Sequence, residues 1–331
     1  MKIYYPEYYN VFRCIAGDCP DSCCHEWEVD IDPEAAALYR GLVGDLGDRL
    51  RSILRDTEDG VCMTIENGRC PMWRQDGLCR IQAELGHDAL SHTCRMFPRL
   101  RHDYGDFAEL GLELSCPEAA RLILSGEGQA ICEGTEPNGE EPDYDFDVMS
   151  TLIRSRQALR QLLDSAQYKS NELLTILLLY AYEVQNEIDG GEAAELDAEV
   201  ALAAGKQHAG SGDLQLFVDY FKNLEILTAR WQDRLEAPSP AAWTDEFRHL
   251  IRYFVDRWWL QAVSDYDLVC RAKLIVVGCL LIRTLGGDLT ATAQLFSKEI
   301  ENDGDNVEAI LDGAYTSPAL TDLQLLHLLN M

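Results

Sequence analysis

Positive charge is scarce in this sequence: 28 Lys and Arg stand against 57 Asp and Glu in 331 residues. The resulting negative field repels phosphate backbones and anionic lipid headgroups, so nucleic acid is not an expected partner and a cationic, lysine-bearing polypeptide is a better match. Long apolar runs are missing as well. No uninterrupted stretch of about 18 apolar residues occurs, and the most apolar run, residues 173–182, has the length of a buried helix. The opening Met1-Lys2-Ile3-Tyr4-Tyr5-Pro6-Glu7 lacks a basic segment followed by an apolar one, so the expectation is a cytoplasmic protein without a membrane span. Beyond residue 147 no glycine-rich turn follows an apolar strand, and strands do not alternate with helices, which argues against a Rossmann-type nucleotide domain.

What the chain does have is cysteine. Of its twelve cysteines, ten fall at Cys14, Cys19, Cys23, Cys24, Cys62, Cys70, Cys79, Cys94, Cys116 and Cys132, and only Cys270 and Cys279 follow. A reducing cytosol does not sustain a disulfide framework, so a dense set of thiols in one short region calls for metal. Most of them sit beside turn-forming residues, among them Gly17, Pro20, Gly68, Pro71, Gly77 and Pro117, whereas inert core cysteines lie within regular apolar elements.

Thiolate is the soft ligand preferred by Fe–S clusters and by zinc, and four suffice for either. The spacing Cys14-x4-Cys19-x3-Cys23-Cys24, then Cys70-x8-Cys79, Cys94 and Cys116, lacks the repeated short knuckles of structural zinc sites and leans towards Fe–S. Adjacent Cys23 and Cys24 leave open one large cluster, two centres, or a role for one of them behind the ligands. His25, His87, His92 and His102 are close enough in sequence to replace a thiolate. A radical S-adenosylmethionine motif, C-x3-C-x2-C, is not met, because Glu26 stands where its third cysteine belongs.

Three regions are expected: a loop-rich cysteine domain with short strands over 1–125, an acidic Gly- and Pro-containing linker over 126–147, and an all-α domain over 148–331, a mainly α fold in sum. In the first, Asp32-Pro33-Glu34 reads as a helix start, Arg80 to Leu85 as a short helix stopped by Gly86, and 61–65 as a strand running towards an Asn67-Gly68 turn. In the last, apolar spacing predicts helices over 148–166, 171–185, 193–204, 213–235, 241–263 and 265–285.

The same residues carry a resemblance. Tyr9-Asn10-x-Phe12-x-Cys14-Ile15, Cys23-Cys24-His25-x-Trp27, Cys70-Pro71, Gly77-Leu78-Cys79, Thr93-Cys94-Arg95-x-Phe97-Pro98-Arg99 and Ser115-Cys116-Pro117-Glu118 resemble the flagellin lysine-N-methylase family. The similarity is strong over about residues 5–125 and general beyond. It implies methyl transfer from S-adenosylmethionine to lysine amines of flagellin or a similar protein, and a [4Fe-4S] cluster. The ligand candidates it implies are Cys14, Cys19, Cys23, Cys24, Cys70, Cys79, Cys94 and Cys116, with zinc as the alternative metal. Trp27, Trp73, Tyr104 and Phe107 are candidates for cation–π contact with a sulfonium or an ammonium, and Arg95 and Arg99 for balancing anionic charge. A non-catalytic metal-binding or redox-sensing interaction protein is the competing expectation.

Overall fold

The computed structural model describes residues 1–25, 29–58, 60–137, 139–207 and 210–331. Local chemistry sets many of its elements. Asp32 Oδ1 accepts the backbone N–H of Ala35 at 3.0 Å and Pro33 occupies the first turn of the helix Pro33–Gly41, as expected of an N-cap. The other oxygen of Asp32 accepts the N–H of His92 at 2.6 Å, so one carboxylate fastens two helix starts together. The helix Arg80–Leu85 ends at Gly86, whose φ of 89° disfavours side-chain-bearing residues. Asn67 and Gly68 both have positive φ, and Glu66 and Arg69 exchange backbone hydrogen bonds of 2.8 and 3.1 Å across them, the two-residue turn that this dipeptide favours.

Seven short strands, β1 (Lys2–Pro6), β2 (Val29–Ile31), β3 (Leu54–Asp56), β4 (Val61–Met63), β5 (Arg99–Asp103), β6 (Phe107–Leu112) and β7 (Ile131–Thr135), form two sheets among the described residues. One has the order β2-β4-β3, all antiparallel. The other has the order β5-β6-β1-β7, with β1 parallel to β6 (Lys2 opposite Phe107) and antiparallel to β7 (Tyr4 opposite Glu133).

The remainder is helical, so the chain is mainly α. The helices Phe146–Asp164, Ser170–Ile188 and Leu268–Leu285 follow the apolar spacing closely, while the one expected over 193–204 starts later and runs Ala198–Gln207. Leu268–Leu285 is buried on nearly every face, which accounts for its apolar run. Where one helix was expected over 213–235, Thr228 intervenes. Its hydroxyl accepts the N–H of Trp231 and starts a new helix, giving Leu214–Lys222 and Ala229–Glu236. The helix expected over 241–263 is shorter, Phe247–Trp258, and tightens into a 3₁₀ stretch at Trp259–Ser264. Three further helices, Leu289–Phe296, Gly304–Thr316 and Asp322–Leu329, start at Asp288, Asp303 and Thr321 caps without the long stripe that flags the others. No described helix is long and apolar enough to cross a membrane.

The expected division at 126–147 is corrected by the packing. Within that segment β7 hydrogen-bonds along β1, and the helix Phe146–Asp164 begins before its end. An edge strand tolerates the Gly and acidic residues that read as linker, because one of its faces stays in water. The first 125 residues do not share one core either. Val29, Ile31, Ala36, Tyr39, Leu50, Ile53, Met63, Met72, Ile81 and Leu90 form a small separate core. By contrast, Tyr8, Phe12, Leu112, Leu114 and the helix Pro117–Leu124 belong to the main core, packed on Phe247–Trp258 and Leu289–Phe296.

Candidate metal centre

The cysteines enter the fold on turns and at helix starts. Cys14 and Cys19 bracket a 3₁₀ turn, Ala16–Asp18, with the N–H of Ala16 3.4 Å from Cys14 Sγ. Ser22 Oγ accepts the N–H of Cys24 at 3.1 Å, and Cys24 O accepts the N–H of Cys70 at 2.7 Å, which joins the first cysteine loop to the third. Cys79 stands at the start of Arg80–Leu85 and bridges back to Trp73. Cys94 lies in the helix His92–Met96, where Ser91 Oγ accepts its N–H, and Cys116 precedes Pro117 at the head of Pro117–Leu124. The loops touch through glycines: a Cβ on Gly77, whose φ is 78°, would lie 3.1 Å from the Cα of Gly17. Only glycine permits both that backbone conformation and that approach.

Seven of the eight expected thiols, Cys14, Cys19, Cys23, Cys24, Cys79, Cys94 and Cys116, line one cavity of about 690 Å³. The eighth, Cys70, does not line it, and its thiol donates to Met63 Sδ at 3.4 Å. Cys62, Cys132, Cys270 and Cys279 do not line it, and Cys279 is buried in the middle of Leu268–Leu285. None of the twelve cysteines is in a disulfide.

Electrostatically the eight are unequal. Interaction with the neighbouring Cys23 and Cys70 thiols pulls Cys24 far below the usual thiol range and raises those two. Burial pushes Cys94 and Cys116 each up to about 11, and raises Cys19 and Cys79. The cluster thus favours one thiolate stabilised by neighbouring thiols, since several bare thiolates would repel one another.

The donor set fits a soft metal in kind, number and convergence on one space. It is not drawn in around a point: among the described residues no three or more His, Cys, Asp or Glu side chains stand as a ready metal-holding group. One buried atom without a partner also faces the question of a ligand. His25 lines the same cavity, and its Nε2 is shielded from solvent with no hydrogen-bond partner among the described residues.

Other expected residues divide. Arg95, Arg99, Trp73 and His87 line the cavity, and the Arg69 guanidinium lies 4.2 Å over the Trp73 ring. Tyr104 and Phe107 stack on each other at 4.8 Å beside the larger sheet, and His102 lines a different cavity there. The backbone of His92 is tied to Asp32. Trp27 lies outside the described residues.

Residues not singled out by sequence also shape the site. Asp21, between Cys19 and Cys23, accepts from Gln294 Nε2 at 2.9 Å and lies 3.5 Å from Lys298 Nζ, both supplied by the helical half. Asp21 carries a signal in the sequence, its place between two clustered cysteines; Lys298 and Gln294 carry none.

No protein-family model matches the chain, and no solved structure does. Curated relatives do. FliU, the flagellar biosynthetic protein of Salmonella muenchen, is 32% identical over 133 residues, 36% of this chain and 75% of FliU. The lysine-N-methylases of Salmonella typhimurium and Salmonella choleraesuis are each 31% identical over 144 residues, 39% of this chain. The match spans 34% of the length of those two lysine-N-methylases, about a third. With three quarters of FliU matched at this identity, the chain belongs to the family of FliU and the lysine-N-methylases.

Proposed function

We propose that this protein is a lysine N-methyltransferase that moves methyl groups from S-adenosylmethionine to lysine side chains of flagellin or a similar polypeptide, and that it carries a thiolate-bound metal centre. One observation supports the reading most: the thiols of the motif resembling the lysine-N-methylases gather at a single cavity in a chain of that family. Ligands drawn from Cys14, Cys19, Cys23, Cys24, Cys70, Cys79, Cys94 and Cys116 would hold the metal, a [4Fe-4S] cluster bound by four of them, with zinc as the alternative. When bound, such a centre braces a loop-rich fold and supplies Lewis-acid or redox character.

The chain's own residues bear on the substrate. Transfer is an in-line displacement: the lysine nitrogen forms a bond to the methyl carbon, the carbon–sulfur bond breaks, and the amine proton leaves for a base or water. The net charge of −29 draws the lysine in as its ammonium form. Arg95 and Arg99, on the cavity wall, offset the negative charge of a thiolate-rich centre.

Incubation of the metal-loaded protein with S-adenosylmethionine and flagellin tests this directly. Mass increments of one methylene per modified lysine, absent without the donor, are expected. A metal-containing protein that neither binds S-adenosylmethionine by calorimetry nor modifies flagellin would favour a second reading, a metal-binding interaction or redox-sensing protein. That reading draws on two facts: FliU is named for flagellar biosynthesis, and two thirds of the lysine-N-methylases lies outside the match.

A further inference from the structure

We infer that His25 is a nitrogen ligand of the metal centre, held in place by Asp21; the inference rests on the metal-centre reading above. His25 adjoins Cys24 in sequence and lines the thiol cavity. Its two ring nitrogens have different surroundings. Nδ1 lies 3.6 Å from Asp21 Oδ1, within ion-pair reach though longer than a hydrogen bond. Nε2 is buried and has no hydrogen-bond partner among the described residues. A buried imidazole nitrogen left unpaired is destabilising unless a ligand takes it up.

Metal-bound histidine characteristically turns its other ring nitrogen to a carboxylate, which fixes the tautomer and the ring plane. Asp21 stands beside Nδ1 of His25 in this sense, and the ring nitrogen left over, Nε2, belongs to a residue of the cavity wall. The ring is also fixed edge-on against Trp73, 5.5 Å between centroids. Asp21 is itself anchored: Gln294 Nε2 donates to its Oδ2 and to Ser115 O, at 2.9 and 2.8 Å, and Lys298 approaches the same oxygen. The carboxylate that orients His25 is therefore positioned by the helical half, and Asp21, Gln294 and Lys298 are positioning residues. His87, the other histidine on the cavity wall, is exposed to solvent, which makes it the internal control.

The test is pulsed electron paramagnetic resonance on the full chain purified anaerobically and reduced, or reloaded with cobalt(II) if its metal is zinc. Directly bound imidazole gives a strong nitrogen coupling that changes when histidine is supplied as the ¹⁵N form, a measurement on the unaltered protein. The coupling is expected in the wild type and in His87→Ala, and its loss in His25→Ala and His25→Cys, the latter retaining metal through a substitute thiolate. Asp21→Asn is expected to keep the coupling and to weaken metal retention about 10- to 100-fold. A metal-loaded wild type without nitrogen coupling, or coupling that survives His25→Ala, overturns the histidine assignment and leaves the metal centre standing. A protein that takes up neither metal overturns both.

Discussion

Lys298 Nζ lies 3.5 Å from Asp21 Oδ2, an ion pair between the helical half and the first cysteine loop in which the lysine is 1% exposed. Lys298 comes from a π-helical turn, Ser297–Glu301, a rare conformation that displaces side chains from ordinary helical register and recurs at functional sites. Lys298→Met leaves the carboxylate without its cation while Gln294 still donates to it. A loss of about 1–3 kcal/mol in denaturant unfolding is expected, below the full cost of breaking a wholly buried pair because Asp21 is partly exposed. Combined with Asp21→Asn, the two losses should be clearly less than additive; strict additivity would show that the pair does not couple the two halves.

Removal of metal should be felt locally. The core of Val29, Tyr39, Leu50, Met72 and Ile81 is small, and cysteine loops close its side, so ligand bonds are expected to supply much of its stability. After chelation, hydrogen exchange should accelerate over residues 29–90 and change little in the helix Leu268–Leu285. Ser in place of Cys79 or Cys94 should reproduce that pattern and abolish metal retention, whereas Cys279→Ala should leave metal content intact. Metal lost on changing Cys279 would move the centre out of the N-terminal region.

Acid should destabilise the protein through His102. Burial, with Arg257 adding to it, lowers this imidazole from 6.5 to about 4. The folded chain therefore binds the proton less readily than the unfolded chain, so the contribution is complete above about pH 6.5 and is lost as pH falls towards 4. At one pKa unit per 1.36 kcal/mol, the loss across that window reaches about 3 kcal/mol. His102→Gln removes the titration, and its unfolding free energy should fall less than that of the wild type between pH 7 and pH 4.5. Parallel pH curves for the two proteins would refute this account of the burial.

A second buried ion pair holds the larger sheet to the helices. Arg156, 5% exposed, reaches both carboxylate oxygens of Glu109 on β6, and the Coulomb attraction and hydrogen bonds from Glu109 outweigh the burial that disfavours its charge. Arg156→Met strands a carboxylate at the interface and should cost about 3–5 kcal/mol in unfolding free energy. Replacing both residues, Arg156→Met with Glu109→Gln, should recover part of that. If the single change proves neutral, the sheet is held by its apolar contacts alone.

The sequence by itself determined what depends on a few neighbouring residues. Asp32 caps its helix three residues on, Gly86 stops another, Asn67 and Gly68 make their turn, and cysteines beside Gly, Pro and Asp announce thiols on loops. These outcomes follow from backbone geometry and short-range hydrogen bonds, which are written locally. Tertiary structure alone decided that 131–135 closes the sheet against β1, that Thr228 divides a helical stripe, and that residues 29–90 keep a core apart while Cys79 shares a cavity with thiols of the main body. It also brought Lys298 to Asp21 across 277 residues. Such pairings depend on what packs opposite, because an edge strand, a buried lysine or an unpaired histidine nitrogen acquires its role only from the partner the fold sets before it.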